Sequence, residues 1–291
     1  MISPAVIAAA LLTLLPFLYA VFFPESMARL GADWPLGLRL GAPALLVVPY
    51  GMVAEHFGIF AWRWFALYAL LPVAVAWLLW LARRMDPGQR GTWCDFVVLL
   101  GLGLAVDLRW LEPAWPAHLA AFSKFLLLDA GLYGFMAVRR LEGAGVDLRV
   151  RGRDLKIGLR EFCFYAPIAI GLGLWMGFLH LHMAWPPVKQ MIAAPLFTFF
   201  FIAAPEEIFF RGWLQNLLGR RMGRGWALSV TAVLFGLSHF NKRAVHFNWR
   251  YVVLAAIAGV FYGRAWMREG RVASSAMTHT AVDSVWSLWL R

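Results

Sequence analysis

The chain has 291 residues, a net charge of +11, and a composition that is 62% hydrophobic and only 15% charged. Charged residues usually approach a quarter of a soluble globular chain, so this composition excludes that class. The positive charge stands mainly in short loops between apolar runs, and no basic patch interleaved with aromatic residues occurs, which argues against nucleic acid as a partner. The sequence instead predicts an all-α, polytopic transmembrane helical bundle with about eight to ten spans in a lipid bilayer.

The predicted spans are the successive apolar runs, most of them long enough to cross about 30 Å of hydrocarbon. In chain order they are 4–23, 36–54, 60–82, 93–108, 117–138, 161–182, 190–218, 226–241, 249–267 and 271–290. One long polar break interrupts the series. It divides an N-terminal transmembrane module, 1–138, from a C-terminal domain, 161–291, by a basic loop, 139–160.

The distribution of arginine and lysine predicts the orientation of the chain. Cytoplasmic loops carry an excess of these residues, which places the basic segments 83–84, 139–160 and 220–224 on the cytoplasmic side. The loop 241–250 would then lie outside despite its positive charge. Either the short segment 226–241 does not fully cross, or this loop dips back toward the membrane.

Three apolar segments near the C-terminus carry ionisable residues. The residues are Glu206, Glu207 and Arg211 in the first segment, Phe235 and His239 in the second, and His279 and Asp283 in the third. Ionisable groups at membrane depth are costly and persist mainly where they perform chemistry or transport. At a rise of about 1.5 Å per residue, the candidate catalytic groups of the three spans fall within about two helical turns of depth.

Helical geometry and residue type predict a role for each group. Glu207 and Arg211 are four residues apart, so an ion pair on one helical face is expected and Glu207 is structural. Glu206 points about 100° away and is left as the general base. His239, one turn after the structural Phe235, could share a water molecule with Glu206 or hold its proton.

The third segment supplies the groups for the substrate carbonyl. His279, with Asp283 one turn later, could polarise that carbonyl while the carboxylate fixes the imidazole tautomer. Water activation against a peptide bond is the economical reaction for such a set of residues.

This motif series resembles that of the CPBP family of glutamate-type intramembrane endopeptidases, which includes the CAAX prenyl endopeptidase and many bacterial relatives. The resemblance covers roughly residues 190–291 and rests on Glu206-Glu207-x-x-x-Arg211, Phe235-x-x-x-His239 and His279-x-x-x-Asp283. It implies a hydrolase in a multi-pass membrane protein, here of a bacterial inner (plasma) membrane, and identifies 161–291 as an intramembrane protease domain. Its expected substrate is a membrane-embedded or lipid-anchored protein.

The resemblance also implies roles for the site residues. Glu206 with His239 activates the attacking water, and His279 with the residue at 283 stabilises the oxyanion. Asp283 stands where the prenyl endopeptidases typically have Asn. An ionised Asp cannot donate to an oxyanion, so Asp283 is either protonated or orients His279, and its i,i+4 spacing favours orientation.

Other functions fit parts of the same pattern. A proton-coupled transporter would use Glu206, His239 and Asp283 as a relay, and an inert scaffold or immunity-type protein would not need Glu206. No cofactor is expected, although two His and one Glu are also suitable ligands for zinc.

Overall fold

The computed structural model describes residues 3–182, 185–242 and 246–290. All of the regular secondary structure in these ranges is helical, and six helices are long and apolar enough to span a membrane. The chain is therefore an all-α, integral, multi-pass membrane protein, as predicted. Its helices form two compact units, residues 1–142 and 143–291.

The described part of the N-terminal unit contains six helices that are longer than a single turn. They are α1 (Pro4–Phe22), α2 (Pro24–Arg29), α3 (Leu36–His56), α4 (Trp62–Met85), α5 (Trp93–Asp107) and α6 (Ala117–Val138). Helix α5 begins at a capping box, in which Thr92 and Asp95 satisfy each other's backbone amides. Asp95 also holds the buried Arg139 at 2.9 Å, just beyond the end of α6.

Five helices make up the described part of the C-terminal unit. They are α7 (Gly152–Trp175), α8 (Val188–Met222), α9 (Arg224–Leu237), α10 (Trp249–Glu269) and α11 (Val272–Trp289). Helices α9 and α10 pack closely because glycines stand at their contact. A Cβ atom at Gly236 would lie 2.6 Å from the carbonyl oxygen of Val252, and one at Gly259 would lie 3.0 Å from Cα of Ala232. Small residues allow this approach of two backbones, as in other membrane helix pairs.

The predicted count of eight to ten spans is not confirmed. The six helices that meet the length and composition of a span are α1, α3, α4, α6, α7 and α8. Helix α5, with 15 residues, and α9, with 14, are shorter than the ~20 residues that a crossing needs. Helices α10 and α11 have 21 and 18 residues, but their sequences carry several charged or polar side chains.

The predicted boundary between loop and helix at residue 161 is wrong, because α7 already begins at Gly152. Asp154 caps this end by accepting a hydrogen bond of 2.9 Å from the backbone amide of Arg151. The helix ends at Trp175 rather than 182, where Gly177 takes a left-handed φ of +62°. The dense charges of 151–160 resemble a loop in sequence, yet they decorate the first turns of a helix.

The segment before α7 packs against the start of α11. The amide of Val272 donates to the carbonyl of Gly145 at 2.8 Å, and Arg271 lies 3.1 Å from Asp147 and 3.0 Å from Asp154. This segment therefore fixes the N-terminus of α11, the helix that carries His279 and Asp283.

The length of α9 bears on the loop 241–250, whose positive charge is unexpected on the outer side of the membrane. Fourteen residues extend about 21 Å, so this helix does not cross ~30 Å of hydrocarbon. Of the two explanations for the basic loop 241–250, the structure favours an incomplete crossing. Arg243 lies outside the described residues.

Candidate active site

Helix α8 presents the two glutamates to different surroundings. Wide π-helical turns at Phe199–Ala203 and Ile208–Gln215 flank the short α-helical stretch that contains Pro205. Proline cannot donate a hydrogen bond, and a π turn absorbs such an interruption without ending the helix. Glu206 therefore reaches a partly exposed position, with 27% of its side chain accessible, whereas Glu207 is fully buried.

Glu207 is the centre of a buried polar network. Its carboxylate lies 3.1 Å from Nε of Arg211 and 3.0 Å from Nδ1 of His279, and it accepts a hydrogen bond from the hydroxyl of Ser275. The Arg211 guanidinium also donates to the carbonyl of Gly259 at 3.3 Å. This network connects α8, α10 and α11, so Glu207 and Arg211 hold the site together.

Glu206 faces two cationic or ionisable groups. Its Oε1 lies 3.6 Å from Nζ of Lys242, and its Oε2 lies 3.9 Å from Nε2 of His279. Oε2 is buried, yet it accepts no hydrogen bond from any residue that the structure describes. A carboxylate oxygen in this position is available to take a proton.

His239 lies in the turn after α9, and the tautomer of its ring follows from its contacts. Nδ1 is 2.8 Å from the carbonyl oxygen of Phe235, which can only accept, so Nδ1 carries the proton. Nε2 then faces the site as an acceptor, 3.5 Å from Nζ of Lys242. The neighbouring Ser238 donates its hydroxyl to the same carbonyl at 2.8 Å and does not point toward the glutamates as a nucleophile would.

Both nitrogens of His279 face carboxylates. Nδ1 lies 3.0 Å from Glu207, while Nε2 lies 3.5 Å from Oδ2 of Asp283 and 3.9 Å from Glu206. Of these contacts, only the one to Glu207 is within ordinary hydrogen-bond distance. The sequence predicts that Asp283 orients the ring, but in the structure Glu207 holds Nδ1 and Asp283 lies at the opposite nitrogen.

Aromatic rings fix the two histidines. Phe235 lies edge-on to His279 with ring centroids 5.7 Å apart, and it packs against His239 at 4.9 Å. The Arg211 guanidinium lies 4.9 Å from the centroid of the same ring, within the range of a cation–π contact. Tyr262 also stacks on His279, with ring centroids 4.5 Å apart.

A cavity of about 70 Å³ opens beside these groups. His239, His279 and Asp283 form the polar part of its lining, and the remainder is mostly apolar or aromatic. The aromatic lining residues are Phe162, Tyr165, Phe178, Phe235, Tyr251, Tyr262 and Trp286. The structure thus brings Glu206, His239, His279 and Asp283 together in one unit, with the last three on a largely apolar cavity.

Three residues of the site were missed in the sequence. Lys242 belongs to the basic loop 241–250, whose positive charge conflicts with the predicted outside location. Ser275 stands one helical turn before His279, so its spacing could have indicated that it shares a helical face with the site. Tyr262 lies in a helix without another site motif, and its stacking on His279 follows only from how α10 and α11 pack.

The described residues contain no group of three or more His, Cys, Asp or Glu side chains arranged to hold a metal ion. The question of zinc at this site therefore stays with a chelation experiment.

Comparison with known families identifies the C-terminal part of the chain. Residues 187–285 match the model of the family described as "Type II CAAX prenyl endopeptidase Rce1-like". The match covers about a third of the chain and supports the CPBP, CAAX protease-like family for this segment. The family is one of peptidases, and the matched segment contains all seven residues of the three motifs. No curated protein and no solved structure matches the chain.

Proposed function

We propose that the protein is a glutamate-type intramembrane endopeptidase. In this mechanism Oε2 of Glu206 takes a proton from a water molecule, and the water oxygen attacks the carbonyl carbon of a peptide bond. His239 receives or shares that proton through its unprotonated Nε2. The observation that carries the proposal is the buried Oε2 of Glu206, which has no hydrogen-bond donor among the described residues and lies 3.9 Å from Nε2 of His279.

The negative charge of the tetrahedral intermediate requires a donor. His279 supplies it from Nε2 as an imidazolium, because its other N–H, at Nδ1, donates to the Glu207 carboxylate at 3.0 Å and only the cation donates from both nitrogens. When the intermediate collapses, the carbon–nitrogen bond breaks and the proton held by Glu206 and His239 passes to the leaving amine. The products are one new carboxylate and one new amine, and Glu206 returns to its starting state.

The substrate proposed for this site is a membrane-embedded or lipid-anchored protein. The six apolar helices and the family match support a substrate in or beside the bilayer, and the largely apolar lining of the cavity suits an apolar stretch of polypeptide. We place the protein in a bacterial inner membrane, with 139–160 cytoplasmic, on the charge distribution and the resemblance. Water activation by Glu206 and His239 in this scheme needs no cofactor, and full activity in the presence of a zinc chelator would agree with that.

Terminal proteomics tests the proposal across all membrane proteins at once, so no candidate substrate has to be chosen. Membranes from cells that carry the wild-type protein should contain new N- and C-termini that are missing from cells with Glu206→Gln. A proton flux that needs no protein substrate and disappears in Glu206→Gln would favour a transporter instead. If wild-type and Glu206→Gln membranes contain the same termini, and Glu206→Ala still supports the cellular role of the protein, an inert scaffold is favoured.

A further inference from the structure

Three arginines gather at one end of the N-terminal unit, far in sequence from the candidate active site. Arg39 stands in the first turn of α3, Arg83 in the last turn of α4, and Arg140 follows the end of α6. Arg39 donates through Nη2 to the carbonyl of Ala137, and Arg83 donates through Nη1 to the carbonyl of Val138 at 3.4 Å. Arg39 and Arg83 therefore meet at the final carbonyls of α6, and Arg140 lies close enough for its positive charge to repel both.

Acidic residues balance the charge of this cluster only in part. The neighbouring Arg139 has its own partners, Asp86 at 2.8 Å and Asp95 at 2.9 Å. None of Arg39, Arg83 and Arg140 forms an ion pair within the described part of the chain, and their charges repel one another. With Arg139 included, four arginines and two aspartates leave about two positive charges in a partly buried position, where repulsion is screened less than at an open surface.

Two donors in the cluster also lack an acceptor. Nε of Arg39 and Nε of Arg140 are buried and have no hydrogen-bond partner among the described residues. A buried donor without a partner is costly unless something else accepts its hydrogen bond. Arg140 in addition has a left-handed φ of +54°, which residues other than glycine rarely adopt and which is found mainly where function or surrounding structure requires it.

Membrane topology alone does not explain these features. The positive-inside rule needs only charge near the ends of spans, and the exposed Arg84, stacked on Trp80 at 4.8 Å, supplies it. It does not require three half-buried arginines whose positive charges repel one another. A guanidinium fork matches the oxygens of a phosphate group, and the ends of membrane spans lie near the depth of lipid headgroups.

We propose that Arg39, Arg83 and Arg140 form a binding site for a phosphate group, which an anionic lipid headgroup supplies. The phosphate oxygens accept from the two buried Nε atoms and neutralise the cluster. The bound lipid thereby joins the ends of α3, α4 and α6, three of the candidate membrane spans.

Native mass spectrometry and thermal unfolding of the whole protein in detergent test the proposal. Phosphatidylglycerol, phosphatidylcholine and inorganic phosphate are added separately to the wild-type protein. We expect phosphatidylglycerol to be retained in preference to phosphatidylcholine and to raise the melting temperature. Protection by inorganic phosphate alone, without preference between the lipids, would keep the phosphate site but assign it to a free anion.

Variants connect the effect to the cluster. Each of Arg39→Gln, Arg83→Gln and Arg140→Gln should weaken phosphatidylglycerol binding about fivefold. Arg84→Gln removes the same charge from the same region but should leave binding unchanged. Equal loss in Arg84→Gln would overturn the proposal, and so would a wild-type protein that shows neither a preference between the lipids nor protection by inorganic phosphate. The wild-type comparison needs no variant, so the test survives if one of the substitutions prevents folding.

Discussion

At the scale of single residues, Lys242 changes the expected behaviour of the general base. Its Nζ lies 3.6 Å from Glu206 and 3.5 Å from Nε2 of His239, between the two groups proposed to activate water. A cation at this distance favours the ionised carboxylate, which is the form that accepts a proton. Lys242 therefore acts as a positioning residue for Glu206 rather than through contact with the substrate.

Replacement of Lys242 by methionine tests this role. Without the ammonium group, Glu206 becomes protonated more readily, so the acidic limb of the pH–rate profile should move to higher pH. Lys242→Arg retains the charge and should restore most of the wild-type profile. If both variants lower the rate equally at all pH values, Lys242 contributes only to the structure of its loop.

The contacts of His279 lead to a specific expectation for Asp283. Because Glu207 already holds Nδ1 of His279 at 3.0 Å, the ring should keep its orientation when the carboxylate of Asp283 is lost. We expect Asp283→Asn to retain most of the activity near neutral pH, with its alkaline limb moved to lower pH, because the carboxylate 3.5 Å from Nε2 favours the protonated ring. A loss of about 10–100-fold, typical when an orienting partner is removed, would instead give Asp283 the role predicted from the sequence.

Residue spacing indicates some parts of the site and misses others. The separation of the two glutamates into a paired and a free carboxylate follows from the 100° step of a helix, because Glu207 and Arg211 share a face. The partner of His279 at Nδ1 does not follow from spacing, since Glu207 is 72 positions away in the chain. Only the packing of α8 against α11 reveals that contact.

At the scale of helices, the close contact between α9 and α10 supports the position of His239. Gly236→Ala would place a Cβ atom 2.6 Å from a backbone oxygen of α10, which cannot move aside as a flexible side chain does. We expect this substitution to destabilise the protein by about 1–3 kcal/mol and to lower activity.

Gly171→Ala is the matched control for this prediction. A Cβ atom at Gly171 of α7 would have no neighbour within 4 Å, and alanine in the interior of a helix is more stabilising than glycine. Thermal unfolding of both variants in detergent provides the comparison. A Gly236→Ala variant as stable as Gly171→Ala would contradict the tight contact between α9 and α10.

Helix type was easier to predict than helix length. Long apolar runs identified the helical class, but α7 begins nine residues before its apolar segment because Asp154 and the backbone of Arg151 cap a charged first turn. For α10 and α11, length alone suggests two further spans. These helices place Tyr262, Ser275 and His279 in the site and its network, and hydropathy alone does not reveal that packing.

At the scale of the whole molecule, the ion network before α11 makes a pH-dependent contribution to stability. Burial opposes the ionisation of Asp147, but hydrogen bonds from Arg149 and Arg271 outweigh it and lower its pKa to about 2. A depressed carboxyl pKa stabilises the folded state above the unfolded pKa of about 4. That contribution disappears as the pH falls from about 4 to about 2.

Asp147→Asn tests this contribution. The difference in melting temperature between the wild-type protein and this variant should be constant above about pH 4 and shrink between about pH 4 and pH 2. A difference that does not change over that acidic range would show that the hydrogen bonds, rather than the charge of Asp147, stabilise this segment.

The most direct test of the central claim compares Glu206→Gln with Glu207→Gln in purified protein, on a peptide that contains a cleavage site found by terminal proteomics. Glu207→Gln leaves Arg211 without its buried counter-charge and should lower the free energy of unfolding by about 3–5 kcal/mol. Glu206→Gln should melt at the wild-type temperature and produce no cleavage, because only the general base is lost. Wild-type turnover by purified Glu206→Gln would contradict the account.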